Sequence, residues 1–291
     1  MTEPADIVIP SQWTHLDVSR LRGTVMVIGA SDTGKSTLAR YLFQELCRAG
    51  RHAAYLDGDV GQSTLGLPTT MTVALSSGPG DERFPPRGPR ATFFTGSTTP
   101  RGHMLPVVVG AYRLQQKALA LGADVVVVDT TGLVEPAEGG RALKQWKIEL
   151  LAPSVVIGLQ WRQELEPILW PLRREARLQV VEWRVSPHVV ERSREARIAR
   201  RRAQLAEHFR LARPCVVSLR QAAVYEVQWL TAGALVALQD AEGFTLDLGV
   251  AEEADCLEKT MVVRTLLPGL EKVSSLRFGT MRWDTANQRE L

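Results

Sequence analysis

Apolar residues follow two rhythms along this chain, and the change between them divides it. From Val25 to about Leu211, short apolar runs alternate with longer stretches in which apolar positions recur every three or four residues. The runs predict buried strands at Val25–Ile28, Ala53–Leu56, Ala91–Phe94, Asp124–Val128, Ser154–Leu159 and Gln179–Trp183. The spaced stretches predict helices at Leu38–Arg48, Val107–Leu121, Arg141–Leu151, Glu164–Arg174 and Glu191–Leu211. Such alternation argues for an α/β fold, a parallel sheet with helices on both faces. From Pro214 onward short runs bounded by turn residues (Cys215–Leu219, Tyr225–Trp229, Leu235–Gln239, Thr245–Leu248, Met261–Thr265, Ser275–Phe278) predict a small C-terminal β-rich unit. Ile7–Pro10 reads as an edge strand, and Ser76–Arg90, with four prolines and three glycines, as a loop or partly disordered excursion. The expected domains are a short extension over 1–22, an α/β domain over 23–213 and the β-rich unit over 214–291.

The polar residues that end the predicted strands carry the chemistry. Val25–Ile28 runs into Gly29-Ala30-Ser31-Asp32-Thr33-Gly34-Lys35-Ser36-Thr37, and a helical pattern follows. This is GxxxxGK[ST], the P-loop, between the strand and helix that its geometry needs. Its glycines let the backbone curl so that amide groups converge on an anion at a helix N-terminus. Lys35 then reaches the terminal phosphates of a bound triphosphate, and the Ser36 hydroxyl is placed to hold magnesium. Asp57-Gly58-Asp59-Val60-Gly61-Gln62 sets two carboxylates at the end of the second strand. Phosphoryl transfer uses carboxylates to hold or orient magnesium and to accept a proton from an attacking hydroxyl. Val125–Val128 ends in Asp129, the place of a Walker B carboxylate, and Thr131 and Gly132 follow as donors for a terminal phosphate. Arg197 and Arg201 share a helix face, and guanidinium groups suit the charge on a transferring phosphoryl. Arg200, Arg202 and Arg210, in the same run, read as a solvated basic face, and so do Lys144 and Lys147 on their own helix.

Composition narrows the setting. The net charge of +3 over 291 residues is weak evidence for any partner, but Arg184–Arg213 holds nine Arg against three Glu, which suits a polyanionic partner locally. Cys47, Cys215 and Cys256 lie far apart without metal-ligand spacing, as in a reducing cytoplasmic protein. Met1–Asp6 carries no basic-then-apolar leader, and no apolar run approaches membrane length.

Together these stretches resemble the polynucleotide 5′-hydroxyl kinases that include the eukaryotic pre-mRNA cleavage-complex kinase and the ribosomal-RNA-processing kinases. The matching pieces are Gly29–Thr37, Asp57–Gln62 (the family's DxDxGQ), Phe94–Pro100, Asp129–Val134 at the clasp and the Arg197–Arg201 RxxxR lid, with a lid helix at about 189–211. The resemblance implies a P-loop NTPase sheet and transfer of the ATP γ-phosphate, with Mg2+, to a nucleic-acid 5′-hydroxyl end. It implies that Lys35 stabilises the phosphoryl and that Ser36 and Thr37 sit at the metal and phosphates. One of Asp57 and Asp59 activates the hydroxyl and the other lies near the metal. Gln62 belongs to the nucleotide site, Asp129 to nucleotide and metal, and Thr131 and Gly132 to the clasp. Leu133 stands where the family's clasp usually has Trp, and Trp13 is the candidate for adenine contact in place of the eukaryotic relatives' N-terminal β domain. Two other readings remain open: a non-catalytic ATP-binding scaffold for nucleic-acid processing, and a P-loop kinase acting on a small molecule.

Overall fold

The computed structural model describes residues 8–255 and 257–291. The expectations for Met1–Asp6, Ile7 and Cys256 lie outside them, and Val8–Pro10 form no strand. The elements are α1 (Ser11–Thr14), β1 (Gly23–Gly29), α2 (Lys35–Arg48), β2 (Ala53–Gly58), β3 (Thr70–Leu75), β4 (Arg90–Phe94), α3 (Met104–Ala120) and β5 (Val125–Thr130). There follow α4 (Gly140–Leu151), β6 (Val155–Gln160), α5 (Glu166–Leu172), β7 (Gln179–Arg184) and α6 (Arg194–Phe209). The C-terminal part holds β8 (Arg213–Ser218), β9 (Ala223–Tyr225), β10 (Ala234–Gln239), β11 (Thr245–Asp255), β12 (Thr260–Thr265), β13 (Ser275–Asp284) and β14 (Arg289–Glu290).

The first sheet has the order β4-β3-β2-β5-β1-β6-β7. β1 pairs in parallel with β5 and β6, and β6 with β7. The connections β1-α2-β2 and β5-α4-β6 run in opposite directions along this order, so right-handed crossovers put α2 and α4 on opposite faces. A central strand covered on both sides has no polar face to show, and Val25–Ile28 and Val125–Val128 are fully buried. β3 was not expected. Its threonines at 70 and 72 break the apolar run, yet every residue from Thr70 to Leu75 is buried. Tyr225–Trp229 is not a strand either: β9 ends at Tyr225, Glu226 takes a left-handed φ of 61°, and Val227–Trp229 form a 3-10 turn.

Packing separates the chain into two units. One takes in residues to Leu56, Ala74–Pro89 and Ala118–Arg192, the other Asp57–Val73, Arg90–Lys117 and Ser193–Leu291, so the boundary falls within β2. In the first unit the Ser76–Arg90 excursion is pinned by Phe84, which lies 5.0 Å from the Tyr55 ring and 6.3 Å from the Phe43 ring. Trp13 is only 4% exposed, packed against Tyr41 and Trp183, so no face of it is offered to a nucleobase.

In the second unit an antiparallel sheet runs β14-β13-β10-β11-β12-β8, with β9 added in parallel on β13. Leu205 and Phe209 of α6 join Phe94, Leu235, Ala237, Leu248 and Trp283 in one of its cores. The foot of α6 is also held by polar contacts. His208 Nε2 lies 3.1 Å from Asp247 Oδ1, while Thr265 Oγ1 and Leu266 N donate to Oδ2 at 2.5 and 2.8 Å. Burial alone would raise the Asp247 carboxyl, but hydrogen bonds from His208 and Thr265 and the His208 charge outweigh it and hold the group below its ordinary value. A depressed native pKa makes a stability contribution that is present above the unfolded value of about 3.9 and is lost as pH falls through the native one. Asp247→Asn is therefore expected to cost about 1–3 kcal/mol near pH 5.5, and progressively less as pH falls below the unfolded value of about 3.9. Urea midpoints across a pH series from 5.5 downward measure this, and a cost that does not shrink as pH falls would contradict it.

Candidate active site

The first unit holds the P-loop. β1 ends at Gly29, where a Cβ would stand 2.6 Å from Leu159 O and 2.7 Å from Thr33 Oγ1, so a side chain is excluded. Asp32 and Gly34 take left-handed φ values of 54° and 85°, which turns successive amides toward one concavity. α2 then starts at Lys35 rather than Leu38, because the loop's last turn is already helical. Lys35 is 6% exposed, and its Nζ donates to Ala30 O and, at 3.5 Å, to Thr33 Oγ1, spanning the loop. Ser36 is exposed in the first turn of α2.

The strand register sets Asp129 beside Val27, two residues before the P-loop begins. Asp129 is buried and accepts from Tyr55 Oη at 3.1 Å. Beyond it, a Cβ on Gly132 would lie 2.5 Å from Ser31 Oγ and 2.7 Å from Ser31 N, so the clasp backbone rests directly on the P-loop. Thr131 is 3% exposed and its Oγ1 has no hydrogen-bond partner among the described residues. Among the described residues no three His, Cys, Asp or Glu gather as a metal site. One hydroxyl (Ser36) and one carboxylate (Asp129) in this unit form a donor set that fits magnesium, which keeps waters and phosphate oxygens as its other ligands.

The second unit separates two carboxylates that look alike in sequence. Asp57 is buried, and its Oδ2 accepts from Ser63 Oγ, Thr64 N and Leu65 N, with Asp59 N on Oδ1 at 3.3 Å. Burial pushes its carboxyl up against the pull of those donors. Asp57 thus organises the loop and has little left to offer a substrate. Asp59 is half-buried, and among the described residues only its Oδ1 is used, by Gly61 N at 3.0 Å and Gln62 N at 3.1 Å. The same loop is tied to α6: Gln62 Nε2 donates to Gly61 O at 2.9 Å and to Arg197 O at 3.4 Å. Arg200 and Gln204 both donate to Ser63 O, at 3.4 and 3.2 Å. Arg197 and Arg201 are half-buried on this helix, whose N-cap Ser193 accepts from Ala196 N.

Several expectations change. Arg200 is part of the loop contact and not a solvated arginine, whereas Arg202 is exposed and the exposed Arg210 pairs with Glu207. Lys144 and Lys147 are fully buried, the reverse of a solvated face. The lid helix is shorter than 189–211, and its missing first turn leaves Val189 3.4 Å from where a Gly34 Cβ would stand. Sequence reasoning missed Ser63 and Gln204. Neither falls in a charged or glycine pattern, so no local signal marks them.

Residues 29–210 match the family described as mRNA cleavage and polyadenylation factor CLP1 P-loop. The chain belongs to that family. It is 33% identical over 186 residues to the polyribonucleotide 5′-hydroxyl-kinase of Methanocaldococcus jannaschii, covering 64% of this chain and 50% of that one. It is 35% identical over 189 residues to the enzyme of the same name from Pyrococcus horikoshii, covering 64% and 49%. The chain thus spans about half the length of the curated relatives it matches. Among solved structures, wild-type Clp1p in complex with Pcf11p superposes with a TM-score of 0.67 at 14% identity, over 90% of this chain and 75% of that one. A second Clp1p–Pcf11p structure, concerned with ATP loss in a point mutant, gives 0.68 at 13% identity over 93% and 78%. At such identity the likeness establishes the fold, the α/β P-loop architecture expected from the motifs. No described helix is long and apolar enough to cross a membrane.

Proposed function

We propose that this chain is a magnesium- and ATP-dependent polyribonucleotide 5′-hydroxyl kinase, the activity by which its archaeal relatives are named. The observation that carries the reading is Asp59. One of its oxygens is fixed by two backbone amides and the other has no hydrogen bond inside its loop, while the next residue but two, Gln62, bonds the backbone of lid Arg197. A carboxylate so held is oriented yet able to accept a proton, which is what a hydroxyl nucleophile requires.

In this reading the chain binds one triphosphate. The P-loop amides and Lys35 hold the β- and γ-phosphates, with Ser36, Thr37 and Asp129 at the metal side and Thr131 and Gly132 at the γ-phosphate. Magnesium, held by Ser36 and Asp129, would supply positive charge to offset that of the phosphates. The RNA 5′-oxygen attacks the γ-phosphorus in line. As that P–O bond forms, the bond to the ADP oxygen breaks and the hydroxyl proton passes to Asp59 Oδ2. Arg197 and Arg201 meet the charge on the transferring group. The exposed arginines around them attract the acceptor's phosphates.

The test is incubation with γ-labelled ATP and paired 5′-hydroxyl RNA and DNA oligonucleotides, with GTP as competing donor. Label on the RNA 5′ end is expected. Tight ATP binding without transfer to either polymer would make the chain a nucleotide-binding scaffold, and transfer to a nucleoside alone a small-molecule kinase.

A further inference from the structure

Lys144 has no exposed surface, although an ammonium is among the groups least often buried completely. Hydrogen bonds account for its place. Its Nζ donates to Thr130 Oγ1 at 2.9 Å and to Thr131 O at 2.5 Å. Thr130 Oγ1 in turn donates to Val27 O at 2.8 Å. One ammonium therefore links α4 to the last residue of β5, and through it to β1, the strand that feeds the P-loop. The segment it grips holds the buried Thr131 hydroxyl that has no partner among the described residues, followed by Gly132 in contact with Ser31 of the P-loop.

We propose that Lys144 is a positioning residue for the terminal phosphate: by holding Thr130 and the Thr131 carbonyl it presents the Thr131 hydroxyl to the γ-phosphate, and its buried charge favours the more anionic nucleotide. The argument rests on the nucleoside-triphosphate reading of the P-loop. A lysine that merely anchors α4 would stabilise the fold without sorting ATP from ADP. Two features of Lys144 go further. Its Nζ donates to the clasp, across from its own helix, and a charge withdrawn from water acts on the phosphates with little screening. Removing it costs ATP, with one more charge and one more phosphate, more than ADP.

The experiment measures ATP and ADP affinity calorimetrically, with magnesium, for the full chain and for Lys144→Met, Thr131→Val and the double variant. Lys144→Met is expected to weaken ATP by about tenfold and ADP by much less, the loss of roughly one hydrogen bond to a charged group. Thr131→Val should show the same selective loss, and the double variant should lose less than the product of the two, because both act on one contact. Trp146→Ser, exposed on the same helix, should leave both affinities unchanged. If Lys144→Met fails to fold, Lys144→Arg carries the comparison, since it keeps the charge but displaces the donors, and a selective ATP loss is again expected. An unaltered ATP-to-ADP ratio in the lysine variants, or losses that simply multiply, would overturn the proposal. Absence of any nucleotide binding by the unsubstituted chain would instead overturn the triphosphate reading on which it rests.

Discussion

Lys35→Ala is expected to lower phosphoryl transfer by on the order of a thousandfold while ATP affinity falls far less. The asymmetry follows from where the charge is wanted. In the proposed kinase the P-loop amides and the N-terminus of α2 bind the ground-state triphosphate, and they survive the substitution. Charge that develops on the transferring phosphoryl needs the ammonium, and an interaction stronger in the transition state than in the ground state appears in kcat. Lys35 is nearly buried at the first position of α2, with its Nζ lying across the loop to Ala30 O and Thr33 Oγ1. Single-turnover transfer and equilibrium ATP binding separate the two effects. Equal losses in both would make Lys35 a uniform binding residue, and unchanged turnover would remove the P-loop from the reaction.

The second large effect distinguishes the two carboxylates. Asp59→Asn keeps an oxygen for the Gly61 and Gln62 amides but cannot accept a proton, so turnover should fall by about 10²–10⁴ with melting temperature and ATP affinity intact. Asp57→Asn acts on the fold. It sets an amide where one oxygen accepts from Ser63, Thr64 and Leu65, at a cost of about 1–3 kcal/mol. The loop that Asp57 holds also contacts Arg200 and Gln204, so its turnover loss should come with a lowered melting temperature. Thermal unfolding and kcat on both variants decide. A fully folded Asp57→Asn that has lost turnover, beside an active Asp59→Asn, would reverse the assignment.

Much of the architecture was legible along the chain because it is encoded locally. Strands whose faces are both covered show as unbroken apolar runs, as at Val125–Val128, and the P-loop announces itself by glycines at two positions where a backbone turn demands them. β3 escaped because threonines buried in a sheet look like loop residues until their neighbours are known. Trp13 and the lysines of α4 escaped for the same reason. A residue type carries an average burial, and the packing around each of these overrode it.

By itself the amino-acid sequence determined most of the order of elements, the parallel sheet, the P-loop and the set of polar residues at strand ends. These depend on periodicity and turn chemistry within a few residues. Only the tertiary structure decided that Asp57 is a buried loop organiser and Asp59 the carboxylate with an oxygen to spare. It likewise decided that Arg200 and Gln204 grip Ser63 and that Lys144 stands beneath the clasp. Burial and hydrogen-bond partners come from segments distant in the chain, Ser63 and Gln204 being 141 residues apart, and no local pattern records who those neighbours will be.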